Sequence, residues 1–365
     1  MRVLVVNAGS SSLKLRLLDD GDAILAEDEL ETPRAALDRT ALERVLASPL
    51  GEAQAVGHRI VHGGERFRSA VRIDADVEKA LRDLTDLAPL HQPKSLAALD
   101  AVTAVLPGLP AVACFDTAFH ATLPAAAATY GLPSGWRDRW GLRRFGFHGL
   151  SHAWVARRTP EFLGGSARQL RIVSCHLGAG ASLCAIADGA SVDTTMGFTP
   201  LEGLVMATRS GSVDPGMLLW LLEREGMSTG EMAEALEHRS GLLGLCGTAD
   251  MREVLARAGA GERSAGLALE VYLHRLCAGI AAMAAALGGL DVLVFTGGVG
   301  ERSPEVRRLS AEALGFLGVW IDSERNRAPI ADDDISVPGA SVRTLVLAAR
   351  EDLEIARQVR GVLAR

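Results

Sequence analysis

The sequence predicts an α/β protein with two similar domains, and three observations lead to this fold class. The chain has 365 residues, and at about 150 residues per domain this length favours two domains. Short apolar runs typical of buried strands alternate with segments of helical character. Two distant segments also share one order of apolar strand, small-residue turn, second strand and Asp-Gly turn, which indicates an internal duplication.

The first copy of this plan opens the chain. Residues 3–6 are an apolar run that predicts a buried strand, and the small polar residues 7–12 predict a turn. Leucines at every second position from 13 to 17 alternate with charged residues, which is the period of a half-buried strand. An acidic turn with one glycine follows at residues 19–22.

The second copy covers residues 171–189, with the sequence RIVSCHLGAGASLCAIADG. After each copy the chain continues into further strands that alternate with helices. We expect an N-terminal domain of residues 1–147, joined by a C-terminal helix over 350–365, and a second domain of residues 148–349. A cleft between the two domains would then hold the functional site.

Composition and charge exclude several classes of partner. The chain has 38 Lys and Arg against 45 Asp and Glu, a net charge of −7, and no basic run, so nucleic acid is not an expected partner. Five cysteines without a CxxC pair indicate a reducing compartment, and no secretion signal is recognised, so we expect a cytoplasmic protein. The most apolar helical stretch, residues 276–287, is expected to be interrupted at Gly279 and to be too short and too rich in alanine for a membrane span.

Two glycine-rich turns predict a nucleotide site. HLGAG (176–180) and TGGVGE (296–301) each follow an apolar strand, and their small residues let backbone N–H groups approach phosphate oxygens. The segment DMR (250–252) lies between them in the sequence. The chain has neither GxxxxGK[ST] nor GxGxxG with an acidic residue at the usual distance, which argues against P-loop and dinucleotide-binding folds.

Arginine and histidine in small-residue surroundings supply the other half of a phosphoryl-transfer site. Arg59 in GHRIVHGG and Arg209 in MATRSGS are flanked by small residues, and a guanidinium fork suits phosphate and carboxylate oxygens. His148 in RFGFHG is the best histidine candidate to donate a hydrogen bond to a phosphoryl oxygen in the transition state. His91 and His120 are expected to be structural.

Two acidic residues stand at positions typical of ligand sites. Asp116 ends an apolar strand, where ligands of α/β sheets tend to lie. Glu351 begins the last helix, where a carboxylate can hold Mg²⁺, directly or through water, or can complement the helix dipole. Both interpretations of Glu351 stay open at this point. The sequence contains no HExxH motif and no Cys/His spacing typical of zinc sites, so a zinc site is not expected.

Taken together, ten motifs in family order resemble the acetate kinase family over nearly the whole chain. The motifs are NAGSSSLK (7–14), HRIVHGG (58–64), PLHQP (89–93), FDTAFH (115–120), FGFHGLSH (145–152), HLGAGAS (176–182), DTTMGFTPLEGL (193–204), TRSGSVDPG (208–216), FTGGVGE (295–301) and REDLEIA (350–356). The resemblance implies the sugar-kinase/Hsp70/actin fold, with two duplicated ribonuclease H-like domains and an active-site cleft between them. It also implies a homodimer and reversible Mg²⁺-dependent phosphoryl transfer between ATP and acetate, giving acetyl phosphate and ADP.

The resemblance further implies roles for residues that match the family motifs. The catalytic residues would be Arg59, Asp116, His148 and Arg209. An apolar pocket for the methyl group of the substrate would contain Val61, Leu90, Phe147 and Pro200. The nucleotide would contact Lys14, His176, Gly178, Ala179, Gly180, Asp250, Arg252, Gly298, Val299, Gly300 and Glu301. Asn7 and Glu351 would organise Mg²⁺, or Mn²⁺ in its place, with Ser10 and Ser12 lining the same region.

Four positions depart from the family pattern. Ala179 stands where asparagine is usual, Ala207 where glycine is usual, and Ser212 where aspartate is usual. Arg350 replaces an asparagine before the metal-linked Glu351 and brings positive charge beside the expected metal site. The amide lost at Ala179 is worth about 0.5–1.5 kcal/mol as one neutral hydrogen bond, too little to abolish activity alone.

Two alternative functions follow from these observations. Propionate or butyrate could replace acetate, because one methylene discriminates by only about 1–3 kcal/mol and the pocket residues do not decide between the acids. The departures at Ala179 and Arg350 also motivate a nucleotide-binding protein that has lost efficient catalysis. Against that alternative, all four predicted catalytic residues and Glu351 are retained.

Overall fold

A computed structural model describes residues 1–9, 12–31, 39–85, 92–165, 170–329 and 332–364. The chain forms two compact units. Unit 1 comprises Met1–Ala121, Phe147–Trp154 and Arg350–Arg365, and unit 2 comprises Thr122–Gly146 and Val155–Ala349. Residues 122–146 thus group with unit 2, which differs from the predicted boundary after residue 147.

Unit 1 contains a six-stranded mixed sheet in the order β3-β2-β1-β4-β6-β5. Its strands are β1 (Val3–Ala8), β2 (Ser12–Leu18), β3 (Ile24–Glu31), β4 (Ala55–Ile60), β5 (Val71–Arg72) and β6 (Ala111–Phe115). Its helices are α1 (Arg39–Leu46), α2 (Ala75–Asp83), α3 (Gln92–Val105) and the C-terminal α15 (Glu351–Leu363), with short 3-10 helices at Pro49–Glu52 and Ala118–Thr122.

The sequence pattern accounts for this sheet. The apolar residues 3–6 of β1 are buried, and the leucines of β2 point inward while Lys14 is exposed, as their alternation predicts. Strand β4, which pairs with β1, presents alternate residues to the two faces of the sheet. Gly57 lies so close to α15 that a Cβ there would be 2.5 Å from Ile355, while Val56 belongs to the core beneath α3.

Unit 2 contains a second six-stranded sheet in the order β11-β12-β10-β7-β8-β9. Its strands are β7 (Arg171–Leu177), β8 (Ala181–Ala187), β9 (Ala190–Thr194), β10 (Val292–Thr296), β11 (Asp333–Asp334) and β12 (Arg343–Val346). Its helices are α4 (Ala125–Ala128), α5 (Ser134–Trp140), α7 (Pro215–Glu225), α8 (Thr229–His238), α9 (Gly241–Cys246), α10 (Met251–Gly259), α11 (Arg263–Ala286), α12 (Gly297–Arg302), α13 (Pro304–Ala313) and α14 (Ser323–Arg327), with a 3-10 helix at Gly315–Leu317. Helix α6 (Gly149–Leu163) begins in unit 1 and ends in unit 2.

The two sheets share one topology, and the predicted duplication is confirmed. In unit 1, β1 pairs antiparallel with β2 and β2 with β3, while β4 and β6 continue the sheet in parallel and β5 closes it antiparallel. In unit 2, the strands β7, β8, β9, β10, β12 and β11 repeat these relations in the same order. The two segments aligned by sequence are β1–β2 and β7–β8.

Helix α11 corrects one sequence-based expectation. The apolar stretch at 276–287 was expected to be short and interrupted at Gly279, yet α11 runs unbroken for 24 residues. Gly279 lies inside this helix. A Cβ there would be 2.7 Å from Leu183 of β8, so the absence of a side chain allows α11 to pack closely on the sheet. By length and composition α11 could cross a membrane, but a buried helix of a soluble core meets the same criterion, so this is weak evidence.

Candidate active site

Four predicted site residues of unit 1 meet at one edge of its sheet. Strands β1, β4 and β6 are parallel neighbours, so their carboxyl ends lie side by side. Asn7 lies on β1, Arg59 on β4, and Asp116 directly follows β6. Glu351 is the first residue of α15, which packs on the same three strands. The carboxyl edge of parallel strands is where α/β proteins bind ligands.

The guanidinium of Arg59 is the centre of this cluster. Its Nε donates to both carboxylate oxygens of Asp116 at 3.1 Å, and one terminal nitrogen donates to Asp116 Oδ2 at 2.6 Å. The other terminal nitrogen donates to Asn7 Oδ1 at 3.0 Å and lies 3.9 Å from Glu351 Oε2. The Asn7 amide in turn donates to Glu351 Oε2 at 2.8 Å. The four side chains therefore form one connected network.

Burial and charge act in opposite directions within this network. Burial disfavours charge on Arg59, but the carboxylates of Asp116 and Glu351 outweigh it, and the pKa of the guanidinium is raised above its ordinary value. Burial raises the pKa of Asp116, while the charge and hydrogen bonds of Arg59 oppose that rise. Arg59 stays positively charged, and Asp116, with its oxygens occupied by Arg59, holds that charge in place.

His148 lies in a turn with unusual backbone geometry. Its φ is +56°, in the left-handed region that residues other than glycine seldom adopt, and such strain tends to occur at functional sites. The next residue, Gly149, donates its N–H to the Asp116 carbonyl at 2.8 Å. A Cβ at position 149 would lie 2.1 Å from that carbonyl oxygen, so the contact requires glycine. This turn ties His148 directly to the strand end that carries Asp116.

The predicted apolar pocket is only partly described. Val61 and Phe147 are buried in unit 1, and the ring of Phe147 makes an edge-on contact with His62 at 5.5 Å between ring centroids. Pro200 belongs to unit 2. Leu90 and the structural candidate His91 lie outside the described residues. His120, predicted to be structural, is buried, and its Nε2 lies 3.0 Å from the Phe147 carbonyl oxygen.

Ser12 and Lys14, two of the site residues predicted in the first strand–turn–strand segment, contact Glu29 of β3. Ser12 donates from its hydroxyl to Glu29 at 2.5 Å, and the ammonium of Lys14 lies 3.9 Å from the same carboxylate. Lys14 pairs across the sheet with Asn7, although its own side chain is largely exposed. It belongs to unit 1, whereas the other predicted nucleotide residues belong to unit 2. Ser10 lies outside the described residues.

In unit 2, the two glycine-rich turns are neighbours, as a shared phosphate site requires. Strands β7 and β10 are parallel, and His176 pairs with Thr296 at their carboxyl ends. Gly297 (φ +78°) approaches the other turn so closely that a Cβ would lie 2.8 Å from the Leu177 carbonyl oxygen. Gly178 donates its N–H to the Gly180 carbonyl at 2.9 Å and closes the first turn.

The second glycine-rich turn forms the short helix α12. Gly298 is exposed with open space around it, Val299 is half-buried, and Gly300 is buried against Phe295. Glu301, predicted to contact the nucleotide, accepts hydrogen bonds from the N–H groups of Gly297 and Ala349, each at 2.9 Å. Its carboxylate therefore fixes the turn to the segment that precedes α15.

Asp250 and Arg252 form a pair at the start of α10. Asp250 is the N-cap residue and accepts from the Arg252 backbone N–H at 2.9 Å, while the Arg252 guanidinium contacts both of its oxygens. The hydrogen bonds from the Arg252 side chain make the largest contribution and the backbone N–H the next, and together they lower the pKa of Asp250 to about 2. Arg252 is 92% exposed, so its guanidinium is accessible to a ligand.

Arg209 lies in a tightly bonded loop of unit 2. One terminal nitrogen donates to the Pro200 carbonyl at 3.0 Å and approaches the Met206 sulfur at 3.7 Å. Its Nε lies 3.4 Å from the carboxylate of Glu237, a residue of α8. Sequence reasoning missed Glu237, because nothing in its local sequence distinguishes it from the other acidic residues of that helix.

The structure shows the surroundings of three departures from the family pattern. Arg350 turns its guanidinium to Asp352, with contacts of 2.9 to 3.2 Å, and Asp352 is buried. Its charge is therefore paired at Asp352, which answers the expected conflict with Glu351. Ala179 and Ala207 are neighbours, since the Ala207 N–H donates to the Ala179 carbonyl at 3.1 Å. This bond joins the first glycine-rich turn to the loop that carries Arg209.

Comparison with known proteins finds relatives that are similar to the chain over almost its full length. The model of the acetokinase family matches residues 26–357. An acetate kinase of Carboxydothermus hydrogenoformans is 41% identical over 390 residues, which cover 98% of each chain. An acetate kinase of Methanosarcina thermophila is 40% identical over 396 residues, which cover 100% of this chain and 97% of the relative.

Solved structures of short-chain carboxylate kinases also superpose on the chain over nearly its full length. The acetate kinase of Porphyromonas gingivalis superposes with a TM-score of 0.90 at 37% identity, covering 99% of both chains. A propionate kinase of Francisella tularensis superposes with a TM-score of 0.91 at 34% identity, again covering 99% of both chains. The fold is therefore the sugar-kinase/actin-like fold of these enzymes, and the chain belongs to the acetokinase family.

Proposed function

We propose that this protein is an acetate kinase that transfers a phosphoryl group between ATP and acetate, giving acetyl phosphate and ADP, by direct in-line displacement. The observation that carries the proposal is the network of Arg59 with Asp116, Asn7 and Glu351 at the carboxyl edge of the unit 1 sheet. Relatives of about 40% identity that are named acetate kinases support the choice of acetate.

The reaction needs no general base. A simple carboxyl group has a pKa of about 4–5, so acetate is already an ionised nucleophile at neutral pH. Asp116 is occupied by three hydrogen bonds from Arg59, which suits an orienting residue rather than a proton acceptor. Catalysis then depends on positioning and on neutralising the charge of the migrating phosphoryl group.

Positive charge and hydrogen-bond donors supply that neutralisation. In the proposed mechanism Arg59 and Arg209 bind the oxygens of the carboxylate and of the phosphoryl group, for which planar guanidinium groups are well suited. His148 donates a hydrogen bond to the phosphoryl group in the transition state. The adjoining turns that begin at Gly178 and Gly297 present backbone N–H groups to the phosphates of the nucleotide.

The residues of unit 1 fit a magnesium ion. Mg²⁺ is usually held by one or two protein carboxylates together with waters and substrate phosphates, so a dense ligand cluster is not required. The described residues contain no group of three or more His, Cys, Asp or Glu side chains suited to a metal. Asn7 and Glu351, joined at 2.8 Å, supply an amide and a carboxylate of the required chemistry. They would hold the ion, which neutralises phosphate charge when bound, and Mn²⁺ would substitute for it.

A propionate or butyrate kinase is the second candidate function. The observation that favours it is the superposition with the Francisella tularensis propionate kinase, whose TM-score of 0.91 matches that of the acetate kinase structure. One methylene changes binding in an apolar pocket by only about 1–3 kcal/mol, so a preference for acetate would be one of degree. A nucleotide-binding protein with impaired catalysis, suggested by Ala179, is a weaker candidate.

We further propose a cytoplasmic homodimer whose partners are small molecules, without nucleic acid or membrane. The five cysteines, all within the described residues, form no disulfide bond, which suits a reducing compartment. Helix α7 supports an interface between copies, because none of its residues is buried and it exposes Leu219 by 61% and Trp220 by 58%. Packing of α11 on β8 supports a soluble protein.

A hydroxamate assay tests the proposed reaction, because hydroxylamine traps acyl phosphates as they form. We expect acyl phosphate from ATP and acetate, smaller yields with propionate and butyrate at equal concentration, and loss of product when EDTA removes Mg²⁺. A higher kcat/KM for propionate or butyrate would favour the second candidate. Nucleotide binding without acyl phosphate from any of the three acids would contradict both and favour the impaired protein.

A further inference from the structure

Glu237 is a buried acidic side chain at an unfavourable place in its helix. Helix α8 begins with a capping box at Ser228 and Glu231 and has only two buried residues, Met232 and Glu237. Glu237 is 9% exposed and lies in the last turn. Burial disfavours a carboxylate, and so does the negative end of the helix dipole. A compensating positive charge is therefore expected next to it.

Arg209 provides that charge. Its Nε lies 3.4 Å from Glu237 Oε2, and both side chains are largely shielded from solvent, with exposures of 16% and 11%. Within the described residues, Oε2 has this ionic contact but no hydrogen bond. A terminal nitrogen of Arg209 meanwhile donates to the Pro200 carbonyl at 3.0 Å. The guanidinium is thus restrained at two of its nitrogens, which fixes the orientation of its plane.

The backbone around Arg209 is fastened to the same end of α8. Thr208, which precedes Arg209, donates from its hydroxyl to the Glu237 carbonyl at 2.9 Å. Ser210, which follows it, donates its N–H to the Leu236 carbonyl at 3.0 Å. One turn of α8 therefore holds the loop on both sides of Arg209, and the carboxylate of Glu237 holds the side chain.

We propose that Glu237 is a positioning residue that orients the Arg209 guanidinium for phosphoryl transfer. The inference rests on the proposed function, in which Arg209 binds the migrating group. Glu237 itself touches neither substrate nor nucleotide in this assignment. Without its charge, Arg209 remains in the loop but loses the ionic contact that restrains Nε. A misplacement of about 1 Å at a charge-stabilising group can cost up to roughly 100-fold in rate.

The substitution Glu237→Gln tests the proposal, because it keeps the shape of the side chain and removes only the charge. We expect kcat for acyl phosphate formation to fall about tenfold, with KM for ATP and for acetate within roughly twofold of wild type, since a positioning defect acts mainly in the transition state. The melting temperature should stay close to that of wild type. Glu234→Gln is the matched control: Glu234 lies on the same helix, its side chain is 59% exposed, and its carboxylate lies 3.9 Å from His238. We expect it to leave kcat unchanged.

A second comparison separates positioning from general damage. In an Arg209→Ala background, Glu237→Gln should cause no further loss, because the residue that it positions is absent. An equal tenfold loss in both backgrounds would overturn the proposal, as would an unchanged kcat or a lowered melting temperature with normal kcat. Wild-type activity is measured first. An inactive wild type would contradict the proposed function, whereas an active wild type with a normal Glu237→Gln variant would contradict only the inference.

Discussion

At the scale of single residues, His58 is a buried titratable group without hydrogen-bond partners among the described residues. It is 1% exposed, and neither ring nitrogen has a hydrogen-bond partner in the described part of the chain. Burial lowers its pKa to about 3, because a charged imidazolium would lose its hydration without a compensating partner. His58 is therefore neutral in the folded protein throughout the physiological pH range.

This predicts acid sensitivity of unit 1. An unfolded histidine has a pKa near 6.5, so below that pH the unfolded chain binds a proton that the folded chain does not. The free energy of unfolding should therefore fall as the pH falls from about 6.5 towards 3, by about 1.4 kcal/mol per pH unit from this residue.

Denaturant titrations of wild type and His58→Leu at several pH values measure this contribution. The variant should lack this part of the pH slope below 6.5, and the two slopes should coincide between pH 7.5 and 8.5, where the residue is neutral in both states. Identical slopes below pH 6.5 would show that His58 does not carry the effect.

Sequence reasoning identified unusual residues at this scale but not their partners. Arg350 and Ala179 could be recognised as departures from a family pattern. Their surroundings could not, because Asp352 takes up the charge of Arg350 by side-chain geometry and Ala207 meets Ala179 by a bond between distant segments. Glu237 was missed for the same reason, since its contact with Arg209 arises only when α8 folds back on the loop.

At the scale of elements, strand ends and turns were predictable because their chemistry is local. An apolar run followed by small or acidic residues placed Asp116 and both glycine-rich turns correctly at the ends of strands. The connection of Arg59 to Asp116 could not be read from sequence, because it requires β4 and β6 to be parallel neighbours. Strand alternation then sends Arg59 to one face of β4 and His58 to the other.

Helix α11 shows where a local rule failed. A glycine in a helical segment usually weakens the helix, so the sequence alone predicts an interruption at Gly279. In the structure it stays within α11 because the gain from close packing on Leu183 depends on a contact outside the helix. The sequence of α11 alone does not contain that information.

At the scale of the whole molecule, the duplication explains why the predicted site residues of both units lie at the carboxyl edge of a sheet of the same topology. The strand order is the same in both units, so the same edges are formed by β1, β4 and β6 in unit 1 and by β7, β10 and β12 in unit 2. The repeat was detectable in sequence because strand and turn patterns recur. The grouping of residues 122–146 with unit 2 depends on long-range packing and was not predicted. The cleft expected between the domains stays a prediction.

The proposed homodimer leads to a prediction at this scale. Light scattering after gel filtration should give a mass near twice the chain mass of 38.5 kDa. Replacing Trp220, which α7 exposes, with lysine should shift the protein towards the mass of one chain, because a charge within an apolar interface is costly to bury. A wild-type mass of one chain at all concentrations would contradict the dimer.

The central claim is that Arg59, which is partly buried and held by its hydrogen-bond network, neutralises the migrating phosphoryl group. The most direct test is the rate of acetyl hydroxamate formation from ATP and acetate by wild type and Arg59→Ala. The control is Arg72→Ala, because Arg72 is exposed on β5, the edge strand of the same sheet. The account predicts a loss of about 10³–10⁵ for Arg59→Ala, by analogy with other arginines that stabilise phosphoryl transfer, and little change for Arg72→Ala. Near-normal turnover by Arg59→Ala would contradict the account.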